Sequence, residues 1–215
     1  LDIGIGLGRT TGHFAPLVRE YVGIDYSPSM VRVARENFAG FGESLAIQPG
    51  DVRQMPEFET GTFDLVLFSF NGIDYIKHEE RLQALQEIKR VAKPGGLFVF
   101  STHNIQYVDR LFSIKFNKRL KHNLYQIYRY ARLLFENGFP YKYKQLNQAI
   151  LVDGVNHFKL TTYYIKPAAQ LEQLANSGFI NIRMFSLKTG LEIDPAGLNE
   201  LTADSWIYYL CEIPG

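Results

Sequence analysis

A chain of 215 residues carrying a net charge of +1 can bury one substantial core or two small ones. Hydrophobic residues make up 46% and charged residues 21%, which excludes disordered and fibrous classes and gives no overall pull toward nucleic acid or membrane. No apolar run reaches the ~18 residues of a membrane-spanning helix, and a single cysteine, Cys211, excludes an internal disulfide and a cysteine-built zinc site; a reducing, cytoplasmic setting is expected.

The chain opens at Leu1 without methionine and inside a strand, so its natural N-terminus is expected upstream. Leu1 to Ile3 reads as a strand end, followed by a glycine-rich turn and a short helix from about Thr10 to Arg19. Tyr21 to Asp25 reads as a second strand and runs into Ser27-Pro28-Ser29, a serine N-cap with proline at the first helical position. Met30, Val31, Val33 and Ala34 supply that helix's buried face. Leu45 to Pro49 and Phe63 to Phe68 read as strands three and four. Leu82, Leu85, Ile88 and Val91 stand at helical spacing between Glu79 and Val91. Lys93-Pro-Gly-Gly96 reads as a turn and Leu97 to Ser101 as strand five. Strand and helix alternating at this rhythm predict an α/β fold, a mostly parallel sheet with helices on both faces.

After His103 the alternation stops. Order returns at Lys166-Pro167 with a helix through Leu171, Leu174 and Ala175, then strands Phe179 to Leu187 and Trp206 to Ile213. One domain spanning 1–215, with an insertion of about 105–164 after strand five, is the expected organisation. The insertion holds ten lysines and arginines against Asp109, Glu136 and Asp153, and 13 of the 29 phenylalanines and tyrosines. A mostly helical cap over the carboxyl edge is expected, with Leu124, Ile127, Tyr128, Ala131 and Leu134 at helical spacing. Its aromatics either pack on the domain or line a pocket with a positive rim for an anionic or extended substrate.

Ligands of open parallel sheets bind beyond the strands' carboxyl ends. Leu1-Asp-Ile-Gly4-Ile-Gly6-Leu-Gly8 lies at such an end, and its glycines let a ligand approach the backbone. The dinucleotide fingerprint G-x-G-x-x-G is absent, because Arg9 stands where its third glycine belongs. Asp2 beside the loop disfavours a pyrophosphate and suits a ligand carrying positive charge. Asp25, seventeen residues past Gly8, ends strand two where a carboxylate can accept from both ribose hydroxyls. Gly50-Asp51-Val52 places a second acid after strand three.

These stretches, together with Val22 to Met30, Phe63 to Phe68 and Ile88 to Leu97, resemble the class I S-adenosylmethionine-dependent methyltransferases with a D-x-G-x-G-x-G loop. The resemblance covers 1 to about 104 and again about 163 to 213. It implies a seven-stranded Rossmann-like sheet whose last strand is antiparallel and inserted beside the sixth, with S-adenosylmethionine as cofactor and S-adenosylhomocysteine as product. It also implies Gly4, Gly6 and Gly8 against the cofactor and Asp2 near its amino group. Asp25 would then bind the ribose, Tyr26 and Met30 flank the adenine, Asp51 and Val52 bind the adenine edge, and Phe68 and Ser69 lie by the methionine moiety.

Methyl transfer to a hydroxyl or a protonated amine needs a general base. The candidates are His103 after strand five, Asp74 and Tyr75 after strand four, and His157 in the insertion; the strand end of His103 favours it. No metal site is expected. Strand four ends Phe68-Ser-Phe-Asn-Gly72, unlike the Asn/Asp-Pro-Pro-Tyr/Phe of amino-directed nucleic-acid methyltransferases, and no cysteine follows it for attack on a pyrimidine. The expected activity is methylation of an O or N nucleophile on a small or medium-sized organic acceptor. A catalytically silent cofactor-binding partner or regulatory subunit and an RNA-directed enzyme are the alternatives.

Overall fold

The computed structural model describes the backbone of all 215 residues and every side chain except those of Asn199 and Glu200. Its elements are β1 (Asp2–Ile3), α1 (Thr11–Phe14), β2 (Tyr21–Asp25), α2 (Pro28–Asn37), β3 (Leu45–Pro49), β4 (Phe63–Phe68), α3 (His78–Val91), β5 (Ala92–Asn104), α4 (Val108–Leu111), α5 (Leu120–Asn137), β6 (Gln148–Leu151), β7 (Thr162–Ile165), α6 (Pro167–Asn176), β8 (Ile180–Ser186) and β9 (Trp206–Glu212). Seven strands run in the order β3-β2-β1-β4-β5-β9-β8. β1 to β5 pair in parallel, while β9 is antiparallel to both β5 and β8. This is the expected α/β sheet, and the strand order reverses between β1 and β4, a switch point of the kind where open α/β sheets carry their ligand crevice beyond the carboxyl ends.

Near-continuous apolar runs make the central strands, because helices cover both faces. β4 ends in buried Val66, Leu67 and Phe68. The expected Lys93–Gly96 turn lies inside β5: Ala92 pairs with Phe63, the register shifts, and Leu97 pairs with Leu65. Gly95 there takes φ +73°, a conformation that glycine adopts freely. Helix α3 buries Arg81, Ala84, Leu85, Ile88 and Val91, whereas Leu82, expected on the inner face, is exposed. Ser27 caps α2, its hydroxyl accepting from Met30 N.

Residues 105–164 contain α4, α5 and a β6–β7 hairpin that adds two strands to the sheet. They build a small core of their own around Val108, Phe112, Leu133, Tyr143 and Leu151, joined to the sheet through Ile105 and Tyr164. β7 has a specific seat. His103 of β5 pairs with Trp206 of β9 on one edge and with Tyr164 of β7. A strand residue has two edges, so β7 lies on the edge that β4 occupies as far as Phe100. The hairpin therefore continues the sheet above the carboxyl end of β4, beside the crevice.

Packing of α5 departs from expectation. Its spacing makes a helix, but Leu124, Ile127, Tyr128 and Ala131 face solvent, and the buried side carries Leu133 and Asn137. Polar anchors decide this. Asn137 exchanges side-chain hydrogen bonds with both the N–H and the C=O of Val152 (2.8 and 2.9 Å), and Arg129 donates to the carbonyls of Leu111 and Ser113 (2.9 and 2.8 Å).

Candidate functional site

The crevice begins at the Gly4–Gly8 loop. Gly4 takes φ +67°, and a Cβ there would stand 3.0 Å from the Phe68 ring. Gly72 is tighter still, at 2.3 Å from the same ring, so Phe68 is seated between two positions that only glycine fills. Gly6 has no heavy atom within 4 Å of where a Cβ would sit, which leaves the loop's crest open to a ligand. Its N–H donates to Asp25 Oδ2 (2.8 Å), and Ser27 N donates to Asp25 Oδ1 (2.8 Å). Asp25 thus ties the loop to the start of α2 while remaining half-buried at the crevice.

Asp2 lies beneath the loop rather than on its open face. It is buried, and its Oδ2 accepts from the hydroxyls of Thr10 and Tyr21, while Oδ1 has no protein partner. Burial raises its carboxyl above the usual range, with the two hydroxyls acting against the shift. Tyr26 and Met30 are exposed at the rim. Asp51 is engaged by Arg53, whose guanidinium donates to both carboxylate oxygens (2.7–3.1 Å) and holds the carboxyl below its usual range. Arg53 also reaches Glu80 (3.0 Å) and lies 5.6 Å from the Tyr26 ring. An open depression lined by Tyr26, Gln48, Gly50, Asp51 and Gln54 adjoins this group, and Val52 is buried behind it. Ser69 is half-buried at the end of β4.

Beyond β4 the chain makes two left-handed steps, Phe70 (φ +53°) and Asn71 (φ +59°), a concentration of strain of the kind that marks functional turns. Arg9 lies over the Phe70 ring at 4.1 Å, linking the glycine loop to this turn. The next residues, Gly72–Tyr75, form a 3-10 turn that delivers Asp74 to the end of β5.

Asp74 organises a buried polar cluster. Its Oδ1 accepts from Arg81 (2.8 Å) and from Thr102 Oγ1 (2.5 Å), and its Oδ2 from the backbone N–H and the ring Nδ1 of His103 (2.7 and 2.8 Å). Arg81 is fully buried, and each of its five donors has an acceptor: Gln173, Ile73 O, Asp74, Thr102 and Gln170. Sequence spacing missed Arg81. Its signal is a cation at helical spacing with Ala84, Leu85 and Ile88 on one face.

An ionised carboxylate only accepts, so His103 Nδ1 is the donor to it, and in the neutral ring Nε2 is the nitrogen that bears the lone pair. Nε2 faces the crevice turn, 3.4 Å from Asn71 Nδ2. Tyr164 and Trp206 flank the ring, with centroids at 4.9 and 5.9 Å. Asn71 Oδ1 and Trp206 Nε1, an acceptor and a donor, are both buried without partners. Tyr164 donates to Asp153 (3.0 Å). Tyr75 is half-exposed, and burial together with the nearby Asp153 and Asp74 raises its hydroxyl. Of the four candidate bases, the structure brings together His103, Asp74 and Tyr75. His157 stands apart, exposed in the β6–β7 loop at φ +56°.

The family profile described as a methyltransferase domain matches residues 1–96. Over those residues the chain is similar to S-adenosylmethionine-dependent methyltransferases. A sterol 4-C-methyltransferase of Caenorhabditis elegans is 35% identical over 101 residues, covering 46% of this chain and 29% of that protein. A demethylmenaquinone methyltransferase of Staphylococcus aureus is 37% identical over 105 residues, covering 46% and 40%. The match thus spans well under half the length of these curated relatives. Among solved structures, an S-adenosylmethionine-dependent methyltransferase from Mesorhizobium loti aligns over 98% of this chain and 88% of its own, with a TM-score of 0.65 at 17% identity. One from Clostridium acetobutylicum aligns over 100% and 83%, with a TM-score of 0.65 at 15% identity.

For a methyltransferase cofactor the residues present fit. Open space above Gly6 and the Asp25 carboxylate beside it match a ligand carrying ribose hydroxyls. Among the described residues, no group of three or more His, Cys, Asp or Glu side chains could hold a metal ion, and no helix is long and apolar enough to cross a membrane.

Proposed function

We propose that the chain methylates an O–H or N–H nucleophile on a small or medium-sized organic acceptor, using S-adenosylmethionine held over Gly4–Gly8, with His103 as general base. When bound, the cofactor supplies an electrophilic methyl on a sulfonium. Asp25 would accept from the ribose hydroxyls, Tyr26 and Met30 would border the adenine, and Asp51 and the Val52 N–H would bind the adenine edge.

The observation that carries the reading is the Asp74–His103 contact (2.8 Å), which supports a neutral imidazole with Nδ1 donating to Asp74 and its lone pair at Nε2. A base so oriented can take the acceptor's proton as the new bond forms, a contribution of roughly 10²–10⁴-fold. Alignment of nucleophile and methyl supplies more, ~7–11 kcal/mol in well-oriented systems. Tyr164 and Trp206 give the acceptor aromatic walls, and Asn71 Oδ1 and Trp206 Nε1 offer it one acceptor and one donor. Two relatives are named for acting on a sterol and on demethylmenaquinone; an apolar or aromatic acceptor carrying one ionisable group fits these walls.

The test is release of S-adenosylhomocysteine when the protein is supplied with S-adenosylmethionine and fractionated metabolite extracts. A fraction that supports release by the wild type but not by His103→Ala, at matched S-adenosylhomocysteine affinity, supports the assignment. Equal release by both proteins removes His103 from the chemistry.

A further inference from the structure

We infer that α5 and the segment leading into it form a docking surface for an anionic lipid bilayer. A surface helix normally turns its apolar stripe inward. Here Leu120, Leu124, Ile127, Tyr128 and Phe135, at i, i+4, i+7, i+8 and i+15, are between 50% and 81% exposed. They form one outward stripe about 22 Å long at 1.5 Å per residue. The opposite side is fastened by Asn137 and Arg129, as described above, so the helix cannot roll to hide it.

Charge selects the occupant. Between Asp109 and Glu136 there are seven lysines and arginines and no acid. Arg129 is committed to backbone carbonyls and Arg132 to Glu136 (2.6 Å). Lys115, Lys118, Arg119 and Lys121 are exposed and form no ion pair with the described residues. They gather at the N-terminal end of the stripe, with exposed Phe116 among them. His122 and Asn123 hold this approach segment onto the first turn of the helix, through Lys115 O and both backbone groups of Asn117 (2.9 Å each).

An outward apolar stripe with unpaired cations at one end is the composition of a helix that lies in the headgroup region of an anionic leaflet. RNA would use the cations and tyrosines but has nothing for Leu120, Leu124 and Ile127. A second copy of the same face offers no acid to the cations. The inference does not depend on which acceptor the enzyme methylates.

The test is co-sedimentation of the full chain with vesicles of phosphatidylcholine containing phosphatidylglycerol, against pure phosphatidylcholine. Binding is expected only with the anionic lipid and should weaken with added salt. Charge reversal of Lys115, Lys118, Arg119 and Lys121 to Glu should reduce partition at least about tenfold. Leu124→Gln with Ile127→Gln, substitutions at exposed positions, should do the same while leaving thermal unfolding and S-adenosylhomocysteine affinity unchanged. No vesicle binding overturns the inference, as does binding indifferent to the Gln pair. A concentration-dependent dimer dissolved by that pair, or an RNA oligomer that binds more tightly than the vesicles, assigns the surface to another occupant and overturns it equally.

Discussion

Asp74 holds His103 at two points, taking its backbone N–H at 2.7 Å and its ring Nδ1 at 2.8 Å, while Arg81 pairs with the other carboxylate oxygen at 2.8 Å. The end of β5, the turn after β4 and helix α3 meet in this one carboxylate. It fixes both the position of the imidazole and the nitrogen that carries the proton. Long-range ¹⁵N–¹H correlation of the neutral ring should therefore find His103 protonated at Nδ1. Finding the proton at Nε2 would remove the proposed base.

Arg81 and Asp74 are buried with no side-chain exposure. Removing one partner of such a pair leaves a charge uncompensated, and Arg81→Ala should cost about 3–5 kcal/mol in urea unfolding. His103→Ala, at the rim of the same cluster, should cost about 1 kcal/mol, the scale of one lost hydrogen bond. Equal losses would mean that the cluster does not centre on the ion pair.

Asp25→Ala should weaken S-adenosylhomocysteine binding about ten- to a hundredfold by calorimetry, from roughly 1.5–3 kcal/mol for hydrogen bonds to a charged group. Because Asp25 also accepts from Gly6 N and Ser27 N, the ligand-free variant should melt at lower temperature than the wild type. Unchanged affinity with a lowered melting point would make Asp25 a loop tie and nothing more.

Burial raises the Asp2 carboxyl above the ordinary 3.8. A folded state that binds this proton more tightly than the unfolded chain gains most below pH 3.8, and the gain is lost as pH rises through the raised value. Asp2→Asn cannot titrate. The unfolding free energy of the wild type relative to Asp2→Asn should thus fall as pH is raised from below 3.8 toward neutrality. A flat or rising difference would show that the Thr10 and Tyr21 hydroxyls outweigh burial.

Gly8 takes φ +89°, and a Cβ there would lie 2.1 Å from the Phe38 ring. Gly8→Ala should destabilise the protein by about 1–3 kcal/mol through backbone strain, with the clash added to it. Chemical denaturation of the double variant with Phe38→Ala should show less loss than the two single losses added together.

Alternating apolar strands and capped helices made the sheet and its first five strands legible from sequence. The glycine loop and Asp25 lie where that pattern directs them, at the carboxyl ends of β1 and β2. Contacts between distant segments were not legible. Arg81 escaped notice because the apolar spacing was read through Leu82, one position off the buried face. Thr162 to Ile165 is buried at all four positions, so it lacks the alternation that signals a strand. The periodicity of α5 located the helix correctly, yet polar anchors at Arg129 and Asn137 turned its apolar stripe outward. The pairing of Asp51 with Arg53, two residues on and bonded to both its oxygens, was likewise not legible.

The central claim is that the Gly4–Gly8 loop and Asp25 serve a sulfonium nucleoside and not a dinucleotide. Calorimetric titration of the wild-type chain with S-adenosylhomocysteine and with NAD tests this most directly. The account predicts saturable one-to-one binding of S-adenosylhomocysteine and no measurable heat from NAD; tighter binding of NAD would contradict it.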